Sequence, residues 1–271
     1  MASVLEVTES PAANGAGTPA QIAGMLGARI RAMETRGRPD SPAISSGIPA
    51  MDRCLPASGY ACGSLVELLT EQRIPHGATS VALGLAREAI RNGKYAVLID
   101  PDWTYYPPVL QRLGLPLERI IGIRPKNHAD LIWSLDQVLR NPAVGCAIAS
   151  VDRMDDRTAR RIQLAAEAGG GLGILLRTLE SARMQPSWAD VQWFVSSRVS
   201  GHVEEVETRW FHLALRRCQG GRVGTALKIG IDALGNWVES HRDEVQRAKT
   251  GHVHLAAELA RPARVRREIA G

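Results

Sequence analysis

SLVELLTEQRIPHGATSVALGLAREAIRNGKYAVLIDPDW, residues 64–103, decides the fold. SLVELL (64–69) and YAVLI (95–99) are apolar runs without alternation, the pattern of strands buried on both faces. Between them, TSVALGLAREAIRNG (79–93) sets Val81, Leu85, Ala89 and Ile90 on one side of a helix and stops at Gly93. Strand, helix and strand in that order read as a parallel unit. The alternation continues outward. RIIGI (119–123), CAIA (146–149) and LGILL (172–176) read as further buried strands. ADLIWSLDQVLR (129–140) reads as a helix with Leu131, Leu135, Val138 and Leu139 inward, and DRTARRIQLAAEAGGG (156–171) as one with Ile162 and Ala165 inward, ended by its glycines. VQWFVSS (191–197), RWFHLALRR (209–217) and ALKIGID (226–232) have no long helix between them and read as a closing antiparallel section. The expected class is α/β: a mainly parallel sheet covered on both faces, with antiparallel closing strands.

The flanks differ in composition. Residues 1–19, rich in Ala, Gly, Ser, Thr and Pro, read as a disordered leader. Residues 20–40 read as a helix and linker, with Ile22, Met25, Leu26, Ile30 and Met33 at helical spacing before GRPDSP breaks it. The core is expected over 41–240, and 241–271 reads as a basic tail. No internal repeat is found. The chain has 271 residues, 45% hydrophobic and 23% charged, which suits a globular domain. Its net charge of +5 favours an acidic partner such as nucleic acid only weakly against a plain basic surface. The cysteines, Cys54, Cys62, Cys146 and Cys218, form no CxxC, so they read as packing residues and neither zinc nor a disulfide framework is expected. No stretch approaches the ~20 apolar residues of a membrane span, and the acidic N-terminus lacks a signal core. The expected place is the cytoplasm, with nucleoid association open.

Phosphate would bind at the first strand-to-helix turn, where a helix offers free amides and a positive dipole end. Set against GxxxxGK[ST], Gly77 fits the second glycine, and Thr79 and Ser80 supply hydroxyls for a metal. Ala78 stands where lysine should be, Gln72 where the first glycine should be, and Pro75 removes a backbone donor. A phosphate lysine makes charge-assisted bonds worth about 1.5–3 kcal/mol each, and alanine makes none. Two readings follow: a working ATP site, or a loop kept for structure. Ser150 occupies the strand end expected to carry a magnesium-orienting aspartate, with Asp152 two residues late. Asp100 and Asp102 end YAVLIDPDW as paired acids or as turn caps. Arg216, Arg217 and Arg222 read as a DNA, partner or subunit contact, or as a solvated hairpin tip. Trp133 and Trp188 are expected at the surface, and Trp193 and Trp210 in the core. In the tail, HLAAELA suits an apolar groove, and ARVRR, with Arg264, Arg266 and Arg267, suits phosphates.

ISSGIPAMDRCLPASGYACGSLVEL (44–68) resembles the segment before the phosphate loop of RecA-type recombinases, and YAVLIDPDWTYYPPVLQRLGL (95–115) resembles the strand carrying their catalytic glutamate, with Asp102 at its place. The set SGIPAMDRCLP, SLVELL, PHGATS, LIWSLDQVLRN, RRIQLAAEAGGGLGILLR and QPSWADVQWFVSS resembles the ImuA family, also called SulA-like, over roughly residues 40–230. That resemblance implies a RecA-like three-layer core. It implies an accessory role in SOS-induced, error-prone translesion synthesis, beside an ImuB-like inactive Y-family polymerase homologue and a DnaE-type polymerase, with DNA and RecA as further contacts and no membrane. No cofactor is expected; ATP with magnesium enters only if the chain is instead a RecA-type repair ATPase. The first DNA loop of RecA looks deleted, because DRTARRIQ follows CAIAS almost at once, and the second candidate, RTLESARMQPSWAD (177–190), is short.

Overall fold

A computed structural model describes residues 43–71, 76–185, 187–197, 208–218 and 220–240. The expected leader, N-terminal helix and basic tail lie outside them, as do Gln72 and Pro75. The chain opens with a two-stranded antiparallel sheet, β1 (Ala43–Ile44) with β2 (Tyr60–Ala61), enclosing the short helix α1 (Pro49–Asp52). There follow β3 (Leu65–Thr70), α2 (His76–Ala89), β4 (Tyr95–Ile99), α3 (Pro107–Arg112) and β5 (Ile120–Ile123). Next come α4 (His128–Leu139), β6 (Val144–Ser150), α5 (Asp156–Gly169), β7 (Leu172–Thr178) and α6 (Leu179–Met184). The chain then runs through β8 (Val191–Ser197), β9 (Arg209–Cys218), β10 (Ala226–Ile231) and β11 (Trp237–Glu239).

The large sheet has the order β11-β10-β9-β8-β3-β7-β6-β4-β5. Strands β8 to β5 in that row are parallel; β8–β9, β9–β10 and β10–β11 are antiparallel. The reversal therefore falls after VQWFVSS, which itself pairs in parallel with β3, Val66 opposite Val191.

Two buried clusters explain the strand sequences. Val66, Leu68, Ala96, Leu98, Cys146, Ile148 and Ile174 face one way, toward α2. Leu65, Val97, Ile99, Ala147, Ala149 and Leu175 face the other way, among side chains of α4 and α5. Both parities are buried, so these strands show no alternation. The antiparallel part is different: Trp193, Val195, Phe211, Leu213, Leu215 and Ile229 join the first cluster, while alternate residues belong to neither. There, among the described residues, the alternation of a sheet covered on one face returns.

Three expectations need correction. RIIGI is not buried: β5 pairs only with β4 at the sheet edge, and Ile121 is 45% exposed. RTLESARMQPSWAD is not simply a loop, because Thr178 accepts a bond from Ser181 N–H and starts α6. Trp210 is only half-buried, since its alternate position on β9 faces away from the first cluster, whereas Trp193 is fully buried and Trp133 is 65% exposed.

Helix ends follow local chemistry. Asn127 accepts from Asp130 N–H at 2.9 Å to start α4. Asp155 accepts from Thr158 N–H at 2.7 Å to start α5, which ends at Gly170 with φ 73°. The Thr158 bonds hold the Asp155 carboxyl below its ordinary 3.8. Stability from a depressed carboxyl is present above the unfolded value and lost as pH falls through the lower folded value. Thermal melts taken from about pH 5 downward should therefore show a shallower loss for Asp155→Asn than for the wild-type chain. Parallel curves would mean that the cap does not titrate.

Candidate functional site

The phosphate-loop position lies where β3 leads into α2. Gly77 opens that helix against β8 and β9: a Cβ there would lie 3.2 Å from the Phe211 ring and 3.4 Å from Ser197 Cβ. Ala78 is 0% exposed and belongs to the first apolar cluster. The position matched to the phosphate lysine therefore points into the core. Thr79 and Ser80, the two residues that follow, are half-buried.

The carboxylates at the end of β4 build a turn. Buried Asp100 accepts from Thr104 N–H (2.6 Å), Thr104 hydroxyl (2.8 Å) and Asp102 N–H (3.1 Å). Asp102 itself is exposed. The next residue, Trp103, takes a left-handed φ of 52°, and its ring lies over Gly122 of β5, where a Cβ would clash at 1.9 Å. Of the two readings of this pair, the turn cap describes Asp100. At the end of β6, Ser150 and Asp152 are exposed and Val151 N–H bonds Leu176 O. Among the described residues this set does not fit magnesium with ATP: there is no cation at position 78, no carboxylate ending β6, and no group of three His, Cys, Asp or Glu placed to hold a metal ion.

The basic residues group elsewhere. A register shift between β8 and β9 pairs Gln192 with Arg217 and Trp193 with Leu215, leaving Arg216 as the extra residue of a bulge. Both arginines are exposed, and both lie within the strand rather than at a hairpin tip. Arg217 Nη1 donates to Ser187 O at 2.7 Å. Arg222, in the turn to β10, is exposed and tied by its backbone N–H to Cys54 O. Arg264, Arg266 and Arg267 lie outside the described residues.

Sequence reading missed Lys228. It stands opposite His212, which stands opposite Ser196, and its ammonium lies 4.6 Å above the Trp210 ring. Gln192, Phe194, Ser196, Trp210, His212, Ala214 and Lys228 share the outward parity of β8–β10. No Asp or Glu occurs in residues 191–197, 209–218 or 226–231, which carry Arg209, Arg216, Arg217 and Lys228. Also missed was a buried ion pair, Glu67 with Arg177, at 2.7 Å. Burial pushes the Tyr60 phenol and the Cys146 thiol up, so neither ionises near neutrality.

No family model matches the chain. It is 28% identical over 208 residues to the ImuA protein of Caulobacter vibrioides (strain NA1000 / CB15N), covering 71% of this chain and 85% of that protein. It is 26% identical over 213 residues to RecA of Corynebacterium pseudotuberculosis (strain C231), covering 73% of this chain and 56% of RecA. The RadB recombinase crystal structure superposes with a TM-score of 0.56 at 15% identity, over 73% of this chain and 99% of RadB. The last likeness is one of fold. Among the described residues no helix is long and apolar enough to cross a membrane.

Proposed function

We propose that this chain, a RecA-like protein similar to ImuA, serves damage-inducible, error-prone translesion DNA synthesis as an accessory protein that turns over no nucleotide and needs no cofactor. It acts by contact with an ImuB-like inactive Y-family polymerase homologue and a DnaE-type polymerase, and with DNA; RecA is a further contact. The observation that carries the non-catalytic half is Ala78, buried in the core where a phosphate lysine would have to reach solvent. Support for the DNA half comes from the acid-free face of β8–β10 and its cation over an aromatic ring, a pairing suited to phosphates and to stacked bases.

Co-purification of the full chain with the ImuB-like protein, together with calorimetry against ATP and magnesium, tests the reading. Partner capture without nucleotide turnover is expected. Robust hydrolysis sensitive to change at Thr79 would overturn it in favour of a RecA-type ATPase. For the DNA contact, Arg216→Glu, Arg217→Glu and Lys228→Glu combined should abolish single-strand binding in fluorescence anisotropy. In the wild-type chain the affinity should fall with salt at a log–log slope of about 0.7 per phosphate neutralised. Unchanged affinity in the triple variant would remove this face from the reading.

A further inference from the structure

Where α4 and α5 cover it, the second face of the sheet is apolar; beside that layer, on β3, β7 and β8, lies one buried polar network. Glu67 of β3 and Arg177 of β7 are 1% and 0% exposed and meet at 2.7 Å through Oε1 and Nη1. Gln192 Nε2 of β8 donates to the other Glu67 oxygen at 2.7 Å. Arg177 Nη2 points the other way, donating to Gln185 Oε1 at 3.1 Å and to Ser181 O at 3.4 Å. The same Gln185 oxygen accepts from Met154 N–H at 2.8 Å. Arg177 Nε has no partner.

Burying such a pair is costly, and an apolar pair of similar volume would serve stability as well or better. What the charges supply is direction. The guanidinium is a rigid fork: one arm holds the central strand and the other holds the segment that leaves β7, whose Gln185 in turn accepts from Met154 in the segment that leaves β6. The segment after β7 is held again further along. Trp188 Nε1–H donates to Asp156 at 2.7 Å with the Arg160 guanidinium 4.8 Å over its ring, and Asp190 exchanges bonds with Leu65, its carboxylate accepting from Leu65 N–H and its N–H donating to Leu65 O, both at 2.8 Å.

We propose that Arg177 is a buried clamp that holds residues 151–155, together with residues 179–185 and 187–190, as one rigid unit with β3. This concerns the motion of the two segments and holds whether or not the functional reading above does. Arg177 reaches Met154 by way of Gln185, so coupling between the segments is the property to measure. Hydrogen exchange on the full chain tests it with Arg177→Met, the double variant Glu67→Leu with Arg177→Leu, and Gln185→Ala. In the first two, amides of both segments are expected to exchange at least tenfold faster while those of α2 and β4 keep their protection. Gln185→Ala, which takes the shared acceptor from Met154 N–H and from Arg177, should free 151–155 while α2 and β4 keep their protection. Wild-type protection of both segments in the double variant would reduce the pair to a tolerated core charge and overturn the clamp. So would loosening confined to 179–185 and 187–190, which would show that the segments are not coupled. If Arg177→Met fails to fold, the other two variants decide.

Discussion

An Ala78→Lys protein is expected to melt far below the wild-type chain and still to hydrolyse no ATP. Position 78 is closed to solvent and lies among apolar side chains. A lysine there adds volume, at about 1–3 kcal/mol, and either buries an unpaired ammonium or gives up its proton, burial driving its pKa down. A total near 4 kcal/mol is reasonable, and each kcal/mol shifts the melting temperature of a domain this size by roughly 2–4 °C. Differential scanning calorimetry and a phosphate-release assay on the same preparation check both halves. A variant as stable as the wild type that also hydrolyses ATP would mean that residue 78 faces a nucleotide, and the non-catalytic reading would fall with it.

The second large effect belongs to Trp193. Its ring is wholly buried, and its Nε1–H donates to the Tyr60 hydroxyl at 2.9 Å, joining β8 to the small N-terminal sheet. Trp193→Ala opens a cavity worth about 3–5 kcal/mol and leaves a buried hydroxyl without its donor, at about 1–3 kcal/mol more. The chain is expected to lose its cooperative thermal transition or to melt tens of degrees lower. Trp133→Ala, on the exposed side of α4, should shift it by no more than about 0.5 kcal/mol. Similar losses for the two variants would contradict the assignment of core and surface.

The sequence made legible what depends on neighbours along the chain. YAVLI, CAIA and LGILL read as buried strands because both parities of each are covered, and the α5 ending at Gly170 followed from its glycines. IIGI was misread because an apolar run says nothing about its place in the sheet order, and at an edge a second partner is lacking. Gly122 there is a seat for Trp103, a use visible only once β4 and β5 are side by side. Asp102 was assigned by counting along a resemblance, whereas the turn around Asp100 carries its side chain out to solvent. Glu67 and Arg177, 110 residues apart, gave no local sign of meeting. Lys228 drew no reading, because only the pairing of β10 with β9 brings Trp210 beneath it.

The half-covered sheet has a consequence for how such a protein can change over time. From Cys146 to Ala149 in β6 every substitution disturbs one apolar layer or the other, so that stretch is nearly frozen. In β8, β9 and β10 alternate residues touch no layer among the described residues, and apart from Gln192, which holds Glu67, and Gly230, where a Cβ would meet Thr208, they can be exchanged one at a time with little effect on folding. A lineage seeking a new binding surface can therefore rewrite these strands one position at a time, on a rigid support, without passing through unstable intermediates.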